Sequence, residues 1–100
     1  MEELEKDIRE YDTLFVEYRT LESNDYTTAY DLSKRALILA DRWNEIMING
    51  FKYAKELDIA KTKFETYCYQ KWKMLMKMHD YCRMIFRQGK DGISNNFYNE

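Results

Sequence analysis

Residues 26–88 read YTTAYDLSKRALILADRWNEIMINGFKYAKELDIAKTKFETYCYQKWKMLMKMHDYCRMIFRQ, and the spacing of apolar residues in them is helical throughout. It contains no proline, and its only glycine is Gly50. Apolar side chains recur through it at helical spacing, namely Leu32, Leu39, Ile46, Tyr53, Leu57, Phe64, Cys68, Leu75, Cys82 and Phe86. The pattern predicts one very long helix, uninterrupted or merely kinked. A helix of this length cannot bury its apolar face alone, so it requires a second helix and favours a second chain.

The dipeptide Asn49-Gly50 allows an alternative. Asn-Gly is a turn signal and glycine commonly follows a helix end, so a break here would give three helices over residues 2–21, 25–49 and 52–88. Against a break, no helix-capping residue follows Gly50 before Asp58, and the apolar row continues in phase. A glycine inside a helix costs only about 1 kcal/mol relative to alanine. The continuous helix is therefore favoured over the break.

The flanking segments complete the predicted architecture. Residues 2–21 form a first amphipathic helix, and the capping residues in 22–25 end it, so the next helix folds back antiparallel. The last helix is expected to end near Gln88, with Gly89 as a left-handed cap. We predict a single helical domain over residues 1–92 and a polar, flexible tail over residues 93–100.

Composition supports the same class. One hundred residues suffice for one domain, and the hydrophobic fraction of 45% is too high for a disordered chain. With no proline and three glycines, few turns can be drawn. The fold is therefore predicted to be all-α, an antiparallel helical hairpin or three-helix bundle with one very long C-terminal helix and coiled-coil-like packing.

The apolar runs and the two cysteines predict where in the cell the protein resides. The N-terminus is acidic and lacks the apolar core of a secretory signal, and no apolar run is long enough to span a membrane. Within one helix, Cys68 and Cys82 would lie about 21 Å apart, beyond the reach of a disulfide. They are interpreted as small buried hydrophobic residues in a reducing cytoplasm.

The net charge of −2 conceals a polarity along the chain. Acids dominate through Asp31, whereas bases dominate between Lys61 and Lys90. The acidic first helix and the basic last helix are expected to pack against each other or against a neighbouring copy.

No group of residues indicates catalysis. His79 and Cys82 are three residues apart on one helical face, but two ligands do not make a metal site. The same pair has no third group to orient the imidazole for nucleophilic catalysis, and no glycine-rich phosphate loop occurs. The sequence therefore predicts no enzyme, no catalytic residue, no cofactor and no metal.

Two surfaces of the last helix are candidate binding sites. Its apolar side chains exceed what one neighbouring helix needs, and the predicted protein interface comprises Tyr67, Trp72, Leu75, Met78, Tyr81, Met84 and Phe86. A third helix folding back would instead absorb part of this set as core. The opposite side carries a basic row that a phosphate backbone could contact, comprising Lys63, Lys73, Lys77 and Arg87. That row is more simply a solvated face, because Asp80 interrupts it.

These features favour a protein that self-associates as a dimer or higher oligomer and binds another protein, without a membrane. Small size, frequent Lys, Tyr, Asn and Glu, and scarce Ala are typical of a phage or mobile-element accessory factor that inhibits or adapts host machinery. The alternative is a nucleic-acid-binding accessory protein that uses the basic row of the last helix.

Overall fold

The computed structural model describes the backbone of residues 2–98 and the side chains of residues 4–89. It contains four helices, α1 (Glu2–Arg19), α2 (Tyr26–Ile48), α3 (Gly50–Leu57) and α4 (Lys61–Tyr98), and no strand within the described residues. The all-α class is therefore confirmed. The molecule is elongated, with principal extents of 61 × 21 × 16 Å.

The first connection lies where the capping residues predict it. α1 ends at Arg19, and the hydroxyl of Thr20 donates to the Val16 carbonyl at 3.0 Å. Asp25 caps α2 by accepting a hydrogen bond from the Thr28 backbone N–H at 3.1 Å. Hydrogen bonds from Thr28 lower the pKa of the Asp25 carboxyl. The predicted break within residues 22–25 is confirmed.

The predicted uninterrupted helix over residues 26–88 is wrong. α2 ends at Ile48, and Asn49 lies at φ −91° and ψ 22°, with its side-chain amide bonded to the Glu45 carbonyl at 2.9 Å. The chain resumes as the short α3 before the second interruption at residues 58–60. The three-helix alternative with a break at Asn49-Gly50 also placed the start of the last helix too early, because α4 begins at Lys61.

Asp58 explains the position of the second turn. Its backbone is left-handed, at φ 54° and ψ 48°. Among the residues that the structure describes, no other non-glycine residue has a positive φ. The Ile59 N–H then donates to the Ala54 carbonyl at 3.0 Å, which satisfies the end of α3. Aspartate is one of the few residues that tolerate this conformation, because its short polar side chain can bond locally. Asp58 thus ends a helix instead of starting one.

The expected left-handed cap at Gly89 is also wrong. No glycine within the described backbone has a positive φ, and α4 continues past Gly89 to Tyr98. Gly89 is buried instead because the ring of Tyr26, at the start of α2, lies where its side chain would be. The division into a domain of residues 1–92 and a tail of 93–100 stays a prediction, and residues 99–100 lie outside the described part of the chain.

α2 and α4 form the most extensive contact in the molecule, and they run antiparallel. Along α2 the buried positions Ala29, Ala36 and Trp43 recur every seven residues and are all fully buried. α4 meets them with buried residues at alternating steps of three and four, including Phe64, Cys68, Leu75, Cys82 and Ile85. This spacing is that of helices packed side by side in coiled coils.

α1 packs along one side of this pair. Leu4, Tyr11 and Leu14 are buried, and Asp7 is buried as well because Arg42 of α2 donates to its carboxylate at 3.0 Å. A second ion pair joins Glu17 to Arg35 of α2, with Nη1 3.1 Å from Oε1. α1 is therefore fixed to α2 by two arginines about two turns apart on the same face.

The expected charge pairing between α1 and α4 of one chain does not occur among the side chains of residues 4–89, and pairing with a neighbouring copy stays a prediction. The acids of α1 that form interhelical ion pairs, Asp7 and Glu17, bind α2 instead. α4 meets α1 through Lys71, whose ammonium lies 4.0 Å from the ring centroid of Tyr11. A cation over an aromatic face replaces the ion pair there.

The contact between Gly89 and Tyr26 yields the first prediction. A Cβ on Gly89 would clash with the ring of Tyr26, so Gly89→Ala must displace this ring. The displacement outweighs the gain of about 1 kcal/mol in helix propensity, and we expect a net loss of about 1 kcal/mol in the free energy of unfolding. In a Tyr26→Ala background, the same change should stabilise the protein. Urea denaturation of the four proteins measures this coupling.

Gly50→Ala is the matched control for Gly89→Ala. A Cβ on Gly50 would meet Cγ of Glu65 at 3.5 Å, which is ordinary van der Waals contact. This variant should therefore gain stability, by up to about 1 kcal/mol. Equal effects of Gly89→Ala with and without the Tyr26 ring would contradict the contact.

Candidate functional site

Two of the predicted interface residues lie inside the bundle. Leu75 and Met78 are 0% and 1% exposed, so they are core residues of this chain and have no surface to offer a partner. Tyr67 lies on the side of α4 that meets α1, and its ring packs edge-on against Trp43 at 5.8 Å. The apolar surplus of the last helix is thus partly absorbed by α1 and α2, as the third-helix alternative allowed.

The other members of the set lie on different sides of α4. Tyr81 packs edge-on against Tyr18 of α1 at 5.6 Å, and Met84 is exposed. Trp72 and Phe86 are half-buried on the side away from α1. The structure therefore does not bring the seven predicted residues together as one surface.

The side of α2 that faces away from α1 follows from helix geometry. Arg35 and Arg42 precede the buried Ala36 and Trp43 by one residue, and both bind acids of α1. Leu37 follows Ala36 by one residue, and successive residues are about 100° apart around a helix. Leu37, like Tyr30 one heptad before it, therefore lies on the flank of α2 opposite α1.

One ring contact joins α2 to α4 on this side, and another lies within α4. Tyr30 of α2 packs against Phe86 of α4, with ring centroids 4.5 Å apart, and within α4 Tyr69 packs against Trp72 at 5.9 Å. We call this side the α2/α4 face and define it by Tyr30, Leu37, Tyr69, Trp72, Met76 and Phe86. Tyr69 is 46% exposed, Tyr30 44% and Leu37 39%, whereas the other three are half-buried.

The predicted protein interface includes Trp72 and Phe86 of this face and lacks Tyr30, Leu37, Tyr69 and Met76. The signal that could have found Tyr30 and Leu37 is their seven-residue spacing, one position after Ala29 and Ala36. That spacing has meaning only once the buried side of α2 is known.

His79 lies beside the α2/α4 face and is held by the backbone. Its Nδ1 is 2.8 Å from the Ser33 carbonyl oxygen, and because a carbonyl only accepts, Nδ1 carries the proton and donates. Cys82, three residues on, is fully buried, so the two side chains do not converge on an open site. Among the described side chains, no group of three or more His, Cys, Asp or Glu residues could hold a metal ion.

A concave region lies between α1 and α2. This groove has a volume of about 850 Å³, and its walls include Arg9, Thr13, Arg35, Ile38 and Arg42. The guanidinium groups of Arg35 and Arg42 already bind acids of α1, and the hydrogen bond with Glu17 is the main reason that the pKa of Arg35 is raised. This groove is thus the contact region that holds α1 on α2, and the two α2 arginines in its walls are already paired with acids of α1.

The predicted basic row lies on the outside of the bundle. Lys63, Lys73, Lys77 and Arg87 are all exposed, and none of them forms an ion pair with the described side chains. By contrast, Lys61 pairs with Glu65 at 3.4 Å. The structure therefore presents four solvent-facing cations along one helix, with the exposed Asp80 among them.

Comparisons with protein-family models, with curated proteins and with solved structures find no match for this chain. In the part of the chain that the structure describes, every helix is too short or too polar to cross a membrane. The function must therefore be argued from the geometry of the surfaces.

The two cysteines yield the second prediction. Both are buried free thiols, and burial raises the pKa of each to about 11 from an ordinary 9.0. Because the thiolate is the reactive form, a disulfide reagent at pH 8 should label the native protein only as it unfolds, and should label two thiols per chain in denaturant. Rapid labelling of native protein would contradict this burial.

The same shift sets a dependence of stability on pH. The folded chain keeps its thiol protons in a range where the unfolded chain loses them, so the unfolded state binds fewer protons there. The free energy of unfolding should therefore fall as the pH rises from about 9 to about 11. Substituting both cysteines with serine should weaken that dependence.

Proposed function

We propose that this protein is a non-enzymatic helical interaction module that self-associates and binds another protein through the α2/α4 face. The observation that carries the proposal is an exposed aromatic face between two long helices, on the side that α1 leaves uncovered. A further helix along this face would give α2 and α4 a neighbour on each side. Apolar and aromatic faces of this kind bind the apolar side of an amphipathic helix.

The composition of the face suits binding. Tyrosine, tryptophan and methionine are enriched at the centres of protein interfaces, where they supply large contact areas. Fully burying a large apolar side chain contributes roughly 1.5–3 kcal/mol, so the exposed parts of Tyr30, Leu37 and Tyr69 leave unused binding energy. The contacts of Tyr30 with Phe86 and of Tyr69 with Trp72 also hold four rings in place before a partner arrives.

The proposal extends to a biological setting. Small size, and side chains of residues 4–89 that form no catalytic constellation, suit an accessory factor of a phage or mobile element that inhibits or adapts a host protein. Two buried thiols suit a reducing cytoplasm. Such a factor acts by occupying a surface of its target, for which one aromatic face suffices.

The third prediction tests the face directly. Leu37→Glu with Tyr69→Glu places two charges on it, and because both side chains are exposed the fold should persist. We expect the wild type to self-associate at tens of micromolar and the double variant to sediment as a monomer with unchanged helicity. Each substitution should cost about 1–2 kcal/mol of association free energy.

Ile38→Glu is the control for the double variant. Ile38 is adjacent to Leu37 in sequence and 70% exposed, but it lies on the side of α2 that borders the α1 groove. This variant should associate like the wild type. A wild type that sediments as a monomer, or an equal loss in the control, would overturn the proposed self-association through this face.

The second candidate function, nucleic-acid binding, has a specific observation in its favour. The four cations of the basic row are exposed and form no ion pair with the described side chains, as a contact surface for phosphates requires. We rank it second because Asp80 lies within the row and the acids of α1 add negative potential within a Debye length of about 8–10 Å.

The fourth prediction separates the two functions. Lys63→Glu, Lys73→Glu and Lys77→Glu together should leave self-association through the α2/α4 face unchanged, because these side chains lie outside it. We expect the wild type to show only weak binding of DNA or RNA that salt abolishes, measured by gel shift at increasing salt. Tight binding at physiological salt that the triple variant loses would promote the second candidate.

A further inference from the structure

α4 carries two seams at coiled-coil spacing, displaced by one residue. The inner seam is buried in the bundle and includes Phe64, Cys68, Leu75 and Cys82. The outer seam comprises Glu65, Tyr69, Trp72, Met76, His79 and Arg83, all half-buried or exposed. Both follow alternating steps of four and three residues, the spacing with which one helix packs along another. The outer seam forms the α4 wall of the α2/α4 face. His79 binds the Ser33 carbonyl of α2 and Glu65 lies beside Gly50 of α3, so these two side chains also touch the bundle. Tyr69 and Arg83 are exposed, and the seam keeps a solvent-facing side.

The chemistry along the outer seam is ordered. An acid, Glu65, stands at one end and a base, Arg83, stands at the other, each nine residues from Met74. Between them lie two aromatic rings, a methionine and the histidine. Read in the opposite direction, the seam presents a base where the forward direction presents an acid. It is therefore complementary to a reversed copy of itself.

We propose that the outer seam binds a second copy of this chain, with the two α4 helices antiparallel and crossing near Met74. This inference rests on the proposed function and names the partner of the same face. The pairing places Glu65 of each copy opposite Arg83 of the other, and Trp72 opposite Met76. A two-fold axis makes both ion pairs equivalent, as expected for a closed dimer.

The charges disfavour the parallel arrangement. Parallel copies would place Glu65 against Glu65 and Arg83 against Arg83, and like charges that face each other disfavour a pairing. Glu65 already pairs with Lys61 at 3.4 Å, but both side chains are about half exposed. An exposed pair of this kind contributes little, so Glu65 remains able to bind Arg83 of the second copy.

Charge reversal tests this register. Glu65→Arg alone gives a seam with two arginines, and Arg83→Glu alone gives one with two glutamates, so each variant should dimerise about tenfold more weakly at low salt. The double variant restores opposite charges and should regain wild-type affinity. The two single variants mixed together should form a heterodimer more readily than either self-associates. Sedimentation equilibrium measures the dimer dissociation constants, and Lys63→Glu is the charge control because Lys63 is exposed on the opposite side of α4 from the seam.

A second readout places the association on the seam. Trp43 is fully buried in the core, whereas Trp72 lies on the outer seam. The emission of Trp72 should therefore shift to the red on dilution of the wild type, and a Trp72→Phe variant should lose this shift. An unchanged emission across the dimer–monomer transition would overturn the proposal.

The experiments distinguish a wrong antiparallel register from a face that does not mediate self-association at all. If Leu37→Glu with Tyr69→Glu abolishes dimerisation but the double charge reversal does not rescue the single ones, the antiparallel register is wrong and the face retains its function. If the wild type is monomeric at hundreds of micromolar, both the second copy and self-association through the face are wrong.

Discussion

The close packing of α2 on α4 is the constraint on which the rest of the structure depends. Small residues make it possible, because Ala29, Ala36 and Ala40 present no bulk toward α4 and are fully buried. Large residues then fill the space at one level of the seam, where Trp43 meets Tyr67. At the far end, Gly89 admits the ring of Tyr26. Alanine and glycine set the distance between the helices, and aromatic rings fix their register.

The position of α1 turns this two-helix seam into an asymmetric molecule. Arg35 and Arg42 lie on one flank of α2 and bind Glu17 and Asp7, so α1 is held on that flank. The opposite flank carries Tyr30 and Leu37 and has no arginine to attract a helix. Electrostatics thus selects the covered side, and the aromatic side stays open. The same two ion pairs that complete the fold also create the candidate binding face.

The sequence predicted the helical class, the turn within residues 22–25 and the burial of both cysteines, because each depends on local capping or on apolar spacing. It did not predict the turn at residues 58–60. Asp58 can end a helix in a left-handed conformation or cap the start of the next one, and local sequence does not separate the two. The prediction of a left-handed cap at Gly89 was wrong for a similar reason. The role of Gly89 is set by the ring of Tyr26, which is distant in sequence.

The candidate binding face, too, could be predicted only in part from local sequence. Spacing along α4 identified Trp72 and Phe86 as excess apolar residues, but it also selected Leu75 and Met78, which the core absorbs. Which apolar residues remain at the surface depends on where α1 lies, and this is decided by Arg35 and Arg42 on another helix. The open face is therefore a property of three helices together and cannot be assigned from one.

The inner and outer seams are adjacent on α4, so some feature of the sequence must keep the outer-seam residues at the surface. A rotation of α4 by about 100° would exchange the two seams, since each outer residue follows an inner one directly. The rotated helix would place Tyr69 and Arg83 where the small Cys68 and Cys82 now meet α2. A tyrosine ring would not fit against the alanines, and an arginine there would lose its hydration without a partner. Two small, uncharged cysteines thus fix which side of α4 is core and leave the aromatic seam exposed.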